Sequence, residues 1–337
     1  MARFAATAVP ESPAKPTAQS RVIIAHDPEV TEAFKPKPDR VRRMVDSAIT
    51  NLTGQASIAG AWGSLVSRKD VVGIKVFSAP GADTGTRPAV VAAVVEGLLA
   101  AKLRPTNIIV WDKHKSDLNR AGYHELGEKY GIRVEGSADA GFDEETFYSP
   151  ERPILGQLVY GDVEFGRKGE GVGRRSFVSK LLTKSITRII TITPLLNHNT
   201  AGVNGHLYSL AMGSVDNTIR FENDLFRLCT AVPEIYALPS LSDRVVLNIT
   251  DALICQYQGE QRGLLHYSAA VNELRFSKDP VALDLLSLRE LERTRLSSAI
   301  PIPRNTALTN QLELLHNAEL LELGASDAQS IKIERMP

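Results

Sequence analysis

Residues 71–113 read VVGIKVFSAPGADTGTRPAVVAAVVEGLLAAKLRPTNIIVWDK and decide the fold. Two short runs rich in β-branched residues, 71–77 and 107–113, have the composition of buried strands. Between them comes a turn-rich loop, after which Thr86 and Pro88 mark the first turn of a helix that runs to about residue 102. The order of strand, loop, helix and strand predicts a right-handed βαβ unit, whose two strands are parallel.

The same alternation continues along the chain. Strand patterns recur at 21–26, 132–135, 188–194 and 244–249, and helical patterns cover 39–52 and most of the chain after residue 283. The fold class is therefore predicted as α/β, with a largely parallel sheet flanked by helices. A Gly- and Arg-rich stretch at 161–180 follows neither period and predicts a boundary between two lobes, 21–175 and 176–337. Residues 1–20, rich in Ala, Pro, Ser and Thr, are predicted to be a disordered leader.

Composition limits the classes of partner. The 337 residues are 43% apolar, which is typical of a globular chain, and 39 Lys and Arg balance 39 Asp and Glu. No net positive charge is present to attract nucleic acid, and no window reaches the roughly 18 apolar residues of a membrane span. The two cysteines, Cys229 and Cys255, are too few for a Cys-based zinc or iron–sulfur site. Two buried free thiols are expected, with one disulfide as the alternative.

Polar residues follow the strand pattern at 188–194. The carboxyl ends of parallel strands meet at one edge of a sheet, where open α/β folds hold their sites. Three more residues with ionisable side chains, Lys75, Asp112 and Asp251, lie at strand ends and are expected in the same crevice. The predicted catalytic residues are His198, His206, Lys75 and Asp112. The predicted cofactor-binding residues are Asn197, Asn199, Gly202, Asn204, Gly205, Asn217 and Asp251.

A divalent metal ion is the candidate cofactor. His198 and His206 are eight residues apart, and the Gly-rich segment between them could turn so that both imidazoles meet one ion, with Asp216 as a carboxylate ligand. Two histidines and one carboxylate suit zinc or non-haem iron. This spacing is not a recognised metal motif, so two alternatives stay open: acid–base or substrate-binding use, and a structural loop whose polar groups satisfy each other.

Each charged residue at a strand end also has a plainer interpretation. Lys75 interrupts an apolar strand, so it either reaches a carboxylate or a substrate anion, or belongs to an edge strand and faces water. Asp112 either anchors a ligand or ends a solvated strand, and Asp251 either faces the crevice or caps a helix. The sequence contains no GxGxxG, Walker lysine, GxSxG or HExxH motif. A nucleotide cofactor, a serine hydrolase and a zincin are therefore not indicated.

Several segments carry a family resemblance. They are VVGIKV (71–76), IIVWDK (108–113) with AGY (121–123), SKLLT (179–183), HNTAGVNGHL (198–207) with GSVDN (213–217), DAL (251–253) and SKDPVALD (277–284). In this order they resemble the bacterial family catalogued as domain of unknown function 362, over about residues 21–335. No activity is established for that family. Its members often carry a twin-arginine export signal, so the resemblance implies that the native protein is exported, with a cytoplasmic location as the alternative.

The chain departs from the family pattern at three places. Leu196, Asn197 and His198 stand where members tend to have Lys-Asp-His, and Phe77 stands where they tend to have Asn. The segment HLYS (206–209) replaces Ala-Leu-Lys-Asn, so that two lysines are absent. A family chemistry that used those groups would here be lost, or replaced by one built around His206.

Together these features predict an enzyme of unassigned reaction that acts on a small polar or anionic molecule. The alternative is a non-catalytic, exported protein that binds a ligand or metal and keeps the family fold; the oligomeric state is left open. Since His206 is expected in an exposed loop, His206→Ala should change stability by less than about 0.5 kcal/mol. The same substitution should weaken binding of the ligand or metal at least roughly tenfold.

Overall fold

The computed structural model describes residues 19–150, 156–157, 172–298 and 308–337. The described strands are β1 (Ser20–His26), β2 (Thr31–Glu32), β3 (Lys35–Pro36), β4 (Val72–Val76), β5 (Ile108–Asp112), β6 (Arg133–Gly136), β7 (Phe142–Tyr148), β8 (Gly156–Gln157), β9 (Val172–Gly173), β10 (Ser176–Ser179), β11 (Arg188–His198), β12 (Gly202–Val203), β13 (Val245–Gln256), β14 (Ser268–Ser277) and β15 (Ile331–Met336). The described helices are α1 (Pro38–Thr53), α2 (Ile58–Leu65), α3 (Pro88–Ala100), α4 (Lys115–Arg120), α5 (Tyr123–Tyr130), α6 (His206–Ser214), α7 (Ile219–Glu222), α8 (Leu225–Tyr236), α9 (Pro280–Ser297) and α10 (Leu308–Leu320).

One large sheet organises the described chain. Its strand order is β15-β1-β14-β13-β11-β4-β5-β6, and the short β12 pairs with the end of β11. Strand β14 is antiparallel to both of its neighbours, whereas the other neighbouring pairs along this order are parallel. The predicted α/β class with a largely parallel sheet is therefore confirmed.

Both predicted lobes contribute to this sheet. Strand β1, from the first half of the sequence, lies between β14 and β15 from the second half. The proposed boundary near residue 175 thus separates two sequence segments and not two sheets. Most of the predicted connection, residues 161–171, lies outside the described residues, as does the predicted leader apart from Gln19 and Ser20, the latter being the first residue of β1.

Helices cover both faces of the sheet. Side chains alternate between the two faces along a strand, so Ile74 and Val76 point to one face and Lys75 to the other. The face of Ile74 packs against α1, α2, α3 and α5, and the opposite face packs against α6, α8, α9 and α10. Cys229 and Cys255 are both buried free thiols. Among the described helices, none is long and apolar enough to cross a membrane.

Helix α6 lies where the sequence predicted a polar loop. Leu207, Leu210, Ala211 and Ser214 recur at helical spacing and are fully buried. The first two backbone N–H groups of the helix, those of residues 206 and 207, donate to the Asp284 carboxylate at 2.7 and 3.0 Å. A Cβ at Gly205 would lie 2.2 Å from Asp284 Oδ1, so this close cap requires glycine at the position before the helix.

Candidate functional site

A polar cavity of about 330 Å³ lies at the carboxyl ends of β4 and β5. Its walls come from these strand ends, the loops that follow them, and one side of α6 and α7. The lining residues are Lys75, Phe77, Ala79, Asp112, Lys113, His114, Asp117, Tyr208, Ser209, Met212, Gly213, Thr218, Ile219, Glu222 and Gln261. The location agrees with the rule that open α/β sheets hold ligands at the carboxyl ends of their strands. Of the predicted site residues, Lys75 and Asp112 line this cavity and the others do not.

Lys75 and Asp112 form an ion pair in the floor of the cavity. Lys75 Nζ lies 2.8 Å from Asp112 Oδ1, and the two side chains are 1% and 7% exposed. Strand β4 lies between β11 and β5, so the interpretation of Lys75 as a solvated edge residue is wrong. Asp112 Oδ2 accepts two further bonds, from the backbone N–H and the hydroxyl of Ser78, both at 2.7 Å. Every oxygen of the carboxylate is thereby bonded.

The surroundings shift the pKa values of both members of this pair. Burial acts to raise the pKa of Asp112, but the charge of Lys75 and the bonds from Lys75 and Ser78 together hold it below its ordinary value. Burial lowers the pKa of Lys75, and the Asp112 carboxylate opposes that shift. The ammonium also lies 5.5 Å from the centre of the Trp111 ring, close enough for a cation–π contact. Asp112 is thus the counterion that makes a buried lysine tolerable.

Helix α6 supplies one wall of the cavity. Tyr208 and Met212 lie one helical turn apart, as do Ser209 and Gly213, so all four face the same side. Gly213 lies against the lysine side chain: a Cβ at this position would be 2.4 Å from Lys75 Cε. The helix can cover the ion pair because position 213 carries no side chain.

Ser209 has a hydroxyl proton to offer to the cavity. Lys75 Nζ donates to Ser209 Oγ at 3.0 Å and to the carbonyl oxygen of Val76 at 2.6 Å, in addition to its bond with Asp112. These three bonds use all three N–H groups of the ammonium, so Ser209 Oγ must act as an acceptor toward it. No acceptor for the proton of Ser209 lies in the part of the chain that the structure describes. Ser209, 2% exposed, therefore presents a donor polarised by the neighbouring ammonium.

A second polar chain crosses the cavity wall. Lys113 Nζ donates to Thr218 Oγ1 at 3.2 Å, and Thr218 Oγ1 donates to Glu222 Oε2 at 3.3 Å. Burial raises the pKa of Tyr208, and the charge of Glu222 and a hydrogen bond to it act in the same direction. The Tyr208 hydroxyl consequently stays protonated.

Asp117 completes the ionisable lining near His114. Burial raises the pKa of Asp117, while Arg120, to which it is ion-paired, opposes the shift. A carboxyl group whose pKa is raised is closer to the range in which it can exchange a proton at neutral pH. Asp117 is therefore one of the lining residues that could take part in acid–base chemistry.

His206 lies inside the protein, and its assignment to an exposed catalytic loop is wrong. It is the first residue of α6 and is fully buried. Its ring nitrogens lie 2.6 Å from the hydroxyl of Thr191 and 3.0 Å from that of Thr250, with Thr193 at 3.4 Å. Burial lowers the pKa of His206 to about 3, so the ring is neutral. These contacts make His206 part of the polar packing between α6 and the sheet.

The predicted metal set is not assembled. His198 Nδ1 accepts the backbone N–H of Ala201 at 3.0 Å, and its ring packs on Tyr208 with ring centres 4.3 Å apart. Asp216 Oδ1 accepts the backbone N–H of Phe177 at 2.6 Å. Across the described ranges, no group of three or more His, Cys, Asp or Glu side chains is arranged to hold a metal ion.

The predicted cofactor-binding residues hold loops together. Asn197 Oδ1 accepts the backbone N–H of Glu260 at 3.1 Å, and Glu260 Oε1 accepts that of Asn199 at 2.7 Å. Asn217 Nδ2 donates to the carbonyl oxygen of Arg175 at 2.9 Å. Gly202 lies in β12 with φ 84°, and Gly205 precedes α6. The bonds of Asn197 and Asn199 tie the end of β11 to the loop between β13 and β14, and that of Asn217 ties the segment after α6 to the residue before β10.

Two further predicted residues lie apart from the cavity lining. Asp251 is fully buried and pairs with Arg87, whose side chain is 2.9 Å away and whose backbone N–H donates to it at 3.0 Å. It therefore holds the residue before α3 to β13, within which Asp251 lies. Asn204 is fully buried, and neither polar atom of its side chain has a partner among the described residues.

The sequence reasoning missed most of the cavity lining. The spacing of Leu207, Leu210 and Ala211 would have indicated a helix at 206–214, and with it a face that carries Tyr208 and Ser209. No local pattern marks Gln261, because the loop that carries it reaches the cavity through the pairing of β13 with β14.

No protein-family model matches the chain, and no curated protein matches it. The resemblance to the family of unknown function 362 therefore stays a prediction. Among solved structures, the chain is similar to the crystal structure of a Thermotoga maritima protein, with 13% identity and a TM-score of 0.39. The match covers 80% of this chain and 61% of that one, less than two thirds of its length. So distant a likeness adds nothing to the account of the fold or the site.

Proposed function

We propose that this protein is an enzyme that acts on a small polar molecule held in the cavity at the ends of β4 and β5. One observation carries the proposal: the buried Lys75–Asp112 ion pair forms part of the cavity lining. A buried ion pair adds little to stability compared with apolar residues of the same size. Strongly perturbed ionisable groups that face a cleft are characteristic of functional sites.

The cavity defines the size of the ligand. A volume of about 330 Å³ is at the lower end of small-molecule sites. It corresponds to the space of roughly ten water molecules, which suits a compact molecule and not a polymer. In the proposed reaction, Ser209 donates a hydrogen bond to the bound molecule and Asp117 exchanges a proton with it. The Lys75–Asp112 pair fixes the position and polarity of Ser209.

A non-catalytic binding protein is the second candidate. One observation favours this candidate: Lys75 donates hydrogen bonds to three protein acceptors. Lys75 cannot act as a base without breaking one of these bonds. Neither candidate needs the metal ion that the sequence suggested. Export of the native protein stays a prediction, which cell fractionation of the native organism tests.

The test is a turnover and binding screen on the full chain. Wild type is incubated with mixtures of amino acids, sugars and hydroxy acids, and consumption is followed by mass spectrometry beside Ser209→Ala. The control is Ser64→Ala, which removes an exposed hydroxyl from α2. Consumption that is lost with Ser209→Ala and kept with Ser64→Ala supports the enzyme. Binding with the same sensitivity but without consumption supports the second candidate, and no dependence on Ser209 in either assay overturns both.

A further inference from the structure

The hydrogen-bonding capacity left in the cavity defines the kind of molecule that it takes; this step rests on the proposed function. Three carboxylates and two lysines line the cavity, and Arg120 pairs with one of those carboxylates. The positive and negative charges are equal in number, but only two of the three carboxylates have a direct ion pair among the described residues. Lys75 pairs with Asp112 and Arg120 pairs with Asp117, whereas Glu222 accepts a bond from the Thr218 hydroxyl and is in no ion pair among the described residues.

No excess of positive charge awaits an anion. The Lys75 ammonium has used its three N–H groups on protein acceptors. An anionic ligand would approach Glu222 and Asp117 in a partly desolvated space, where repulsion between like charges is strong. The cavity thus disfavours the anionic molecule that the sequence suggested.

The hydrogen-bonding capacity that the protein leaves unused in the cavity is mainly that of acceptor atoms. A carboxylate offers about four lone-pair sites. Glu222 receives one bond, from the Thr218 hydroxyl, so acceptor sites remain on it. The buried hydroxyl of Ser209 is a donor whose proton has no acceptor among the described residues. A complementary molecule presents several N–H or O–H groups toward Glu222 and one acceptor oxygen toward Ser209.

We propose that the cavity binds a small amine that also carries hydroxyl or carbonyl oxygen, with its ammonium at Glu222 and an oxygen at Ser209. An ammonium supplies three donors and a charge that the Glu222 carboxylate attracts. The flanking Met212 and Ile219 side chains provide apolar surface for the carbon skeleton of such a molecule.

Three probes with the same three-carbon skeleton test this assignment: serinol (2-amino-1,3-propanediol), glycerol and glycerate. Their binding to the full chain is compared by ligand-observed NMR titration at neutral pH. We expect serinol to bind at least about tenfold more tightly than glycerol, and glycerate to bind most weakly. Glu222→Gln should reduce the preference for serinol over glycerol to less than about threefold, while Glu128→Gln, an exposed carboxylate of α5, should leave it unchanged. Ser209→Ala should weaken both serinol and glycerol.

The outcomes separate this assignment from the proposed function. Tightest binding of glycerate with sensitivity to Ser209→Ala would overturn the amine assignment and leave the cavity as the site. A serinol preference that Glu222→Gln does not change would also overturn it. Serinol binding that ignores both substitutions, or no binding of any probe, would count against the amine assignment. If serinol binds but neither Ser209→Ala nor Glu222→Gln changes its binding, the cavity itself would fail as the site.

Discussion

Gly213 lies directly against Lys75, since a Cβ atom at position 213 would come within 2.4 Å of Lys75 Cε and 3.0 Å of Nζ. The ion pair in the cavity floor is therefore enclosed by a helix whose backbone approaches it without an intervening side chain. The shape of the cavity wall depends on this close approach as much as on the groups that face a ligand.

Gly213→Ala is expected to destabilise the protein by about 1–3 kcal/mol, because the added methyl group overpacks the space of the Lys75 side chain. The control is Gly63→Ala in α2, where a Cβ would meet nothing within 4 Å. That change should stabilise by up to about 1 kcal/mol, as alanine favours a helix over glycine. Denaturant unfolding of both variants measures the contrast, and equal effects would contradict the close packing at Gly213.

Lys75→Met should lower the free energy of unfolding by about 3–5 kcal/mol, because Asp112 would be left as a buried charge without its counterion. Lys69→Met, at an exposed position, should change it by less than about 0.5 kcal/mol. Unfolding in denaturant gives both values. A loss below about 1 kcal/mol for Lys75→Met would mean that groups other than Lys75 stabilise the buried Asp112 carboxylate.

His206→Ala is expected to cost roughly 2–4 kcal/mol, since it opens a cavity and leaves the hydroxyls of Thr191 and Thr250 without their ring partners. His316→Ala provides the comparison, because that side chain is 63% exposed. Its effect should stay within about 0.5 kcal/mol. Equal stability of the two variants would restore the interpretation of His206 as an unconstrained loop residue.

The pH dependence of stability should also report on His206. Its folded pKa is about 3, whereas an unfolded histidine has a value near 6.5. Between these values the unfolded chain binds a proton that the folded protein does not, so the free energy of unfolding falls as the pH drops below 6.5. His206→Gln lacks this pH-dependent contribution to the free energy of unfolding. The difference in free energy of unfolding between wild type and variant should therefore shrink as the pH falls from 7 to 4. A gap that stays constant in denaturant unfolding at these pH values would show that the folded protein protonates His206 normally.

Local patterns predicted the parallel half of the sheet well. The strands around Lys75 and Asp112 and the helix between them follow from hydrophobic runs and turn residues that are close in sequence. The expectation that Lys75 would reach a carboxylate is confirmed by its pairing with Asp112. Both residues end adjacent parallel strands, and that relation can be inferred without long-range information.

The remaining features depend on contacts between distant segments. Strand β14 went unpredicted, although it joins β13 to β1 as an antiparallel partner of both. The polar composition around His198 and His206 predicts a chemical site. In the structure His206 bonds to the hydroxyl of Thr191, and His198 accepts the backbone N–H of Ala201 in its own loop. Composition alone cannot tell whether such groups face a ligand or one another.

The position of β1 affects how the chain can be made. Ser20 pairs with Ile331 and Val22 with Ser277, so the first strand of the sheet has both neighbours near the other end of the sequence. During translation this apolar strand leaves the ribosome long before either partner exists, and contacts of such high sequence separation form slowly. Until β14 and β15 emerge, both edges of β1 lack their native partners and are open to pairing with other nascent chains.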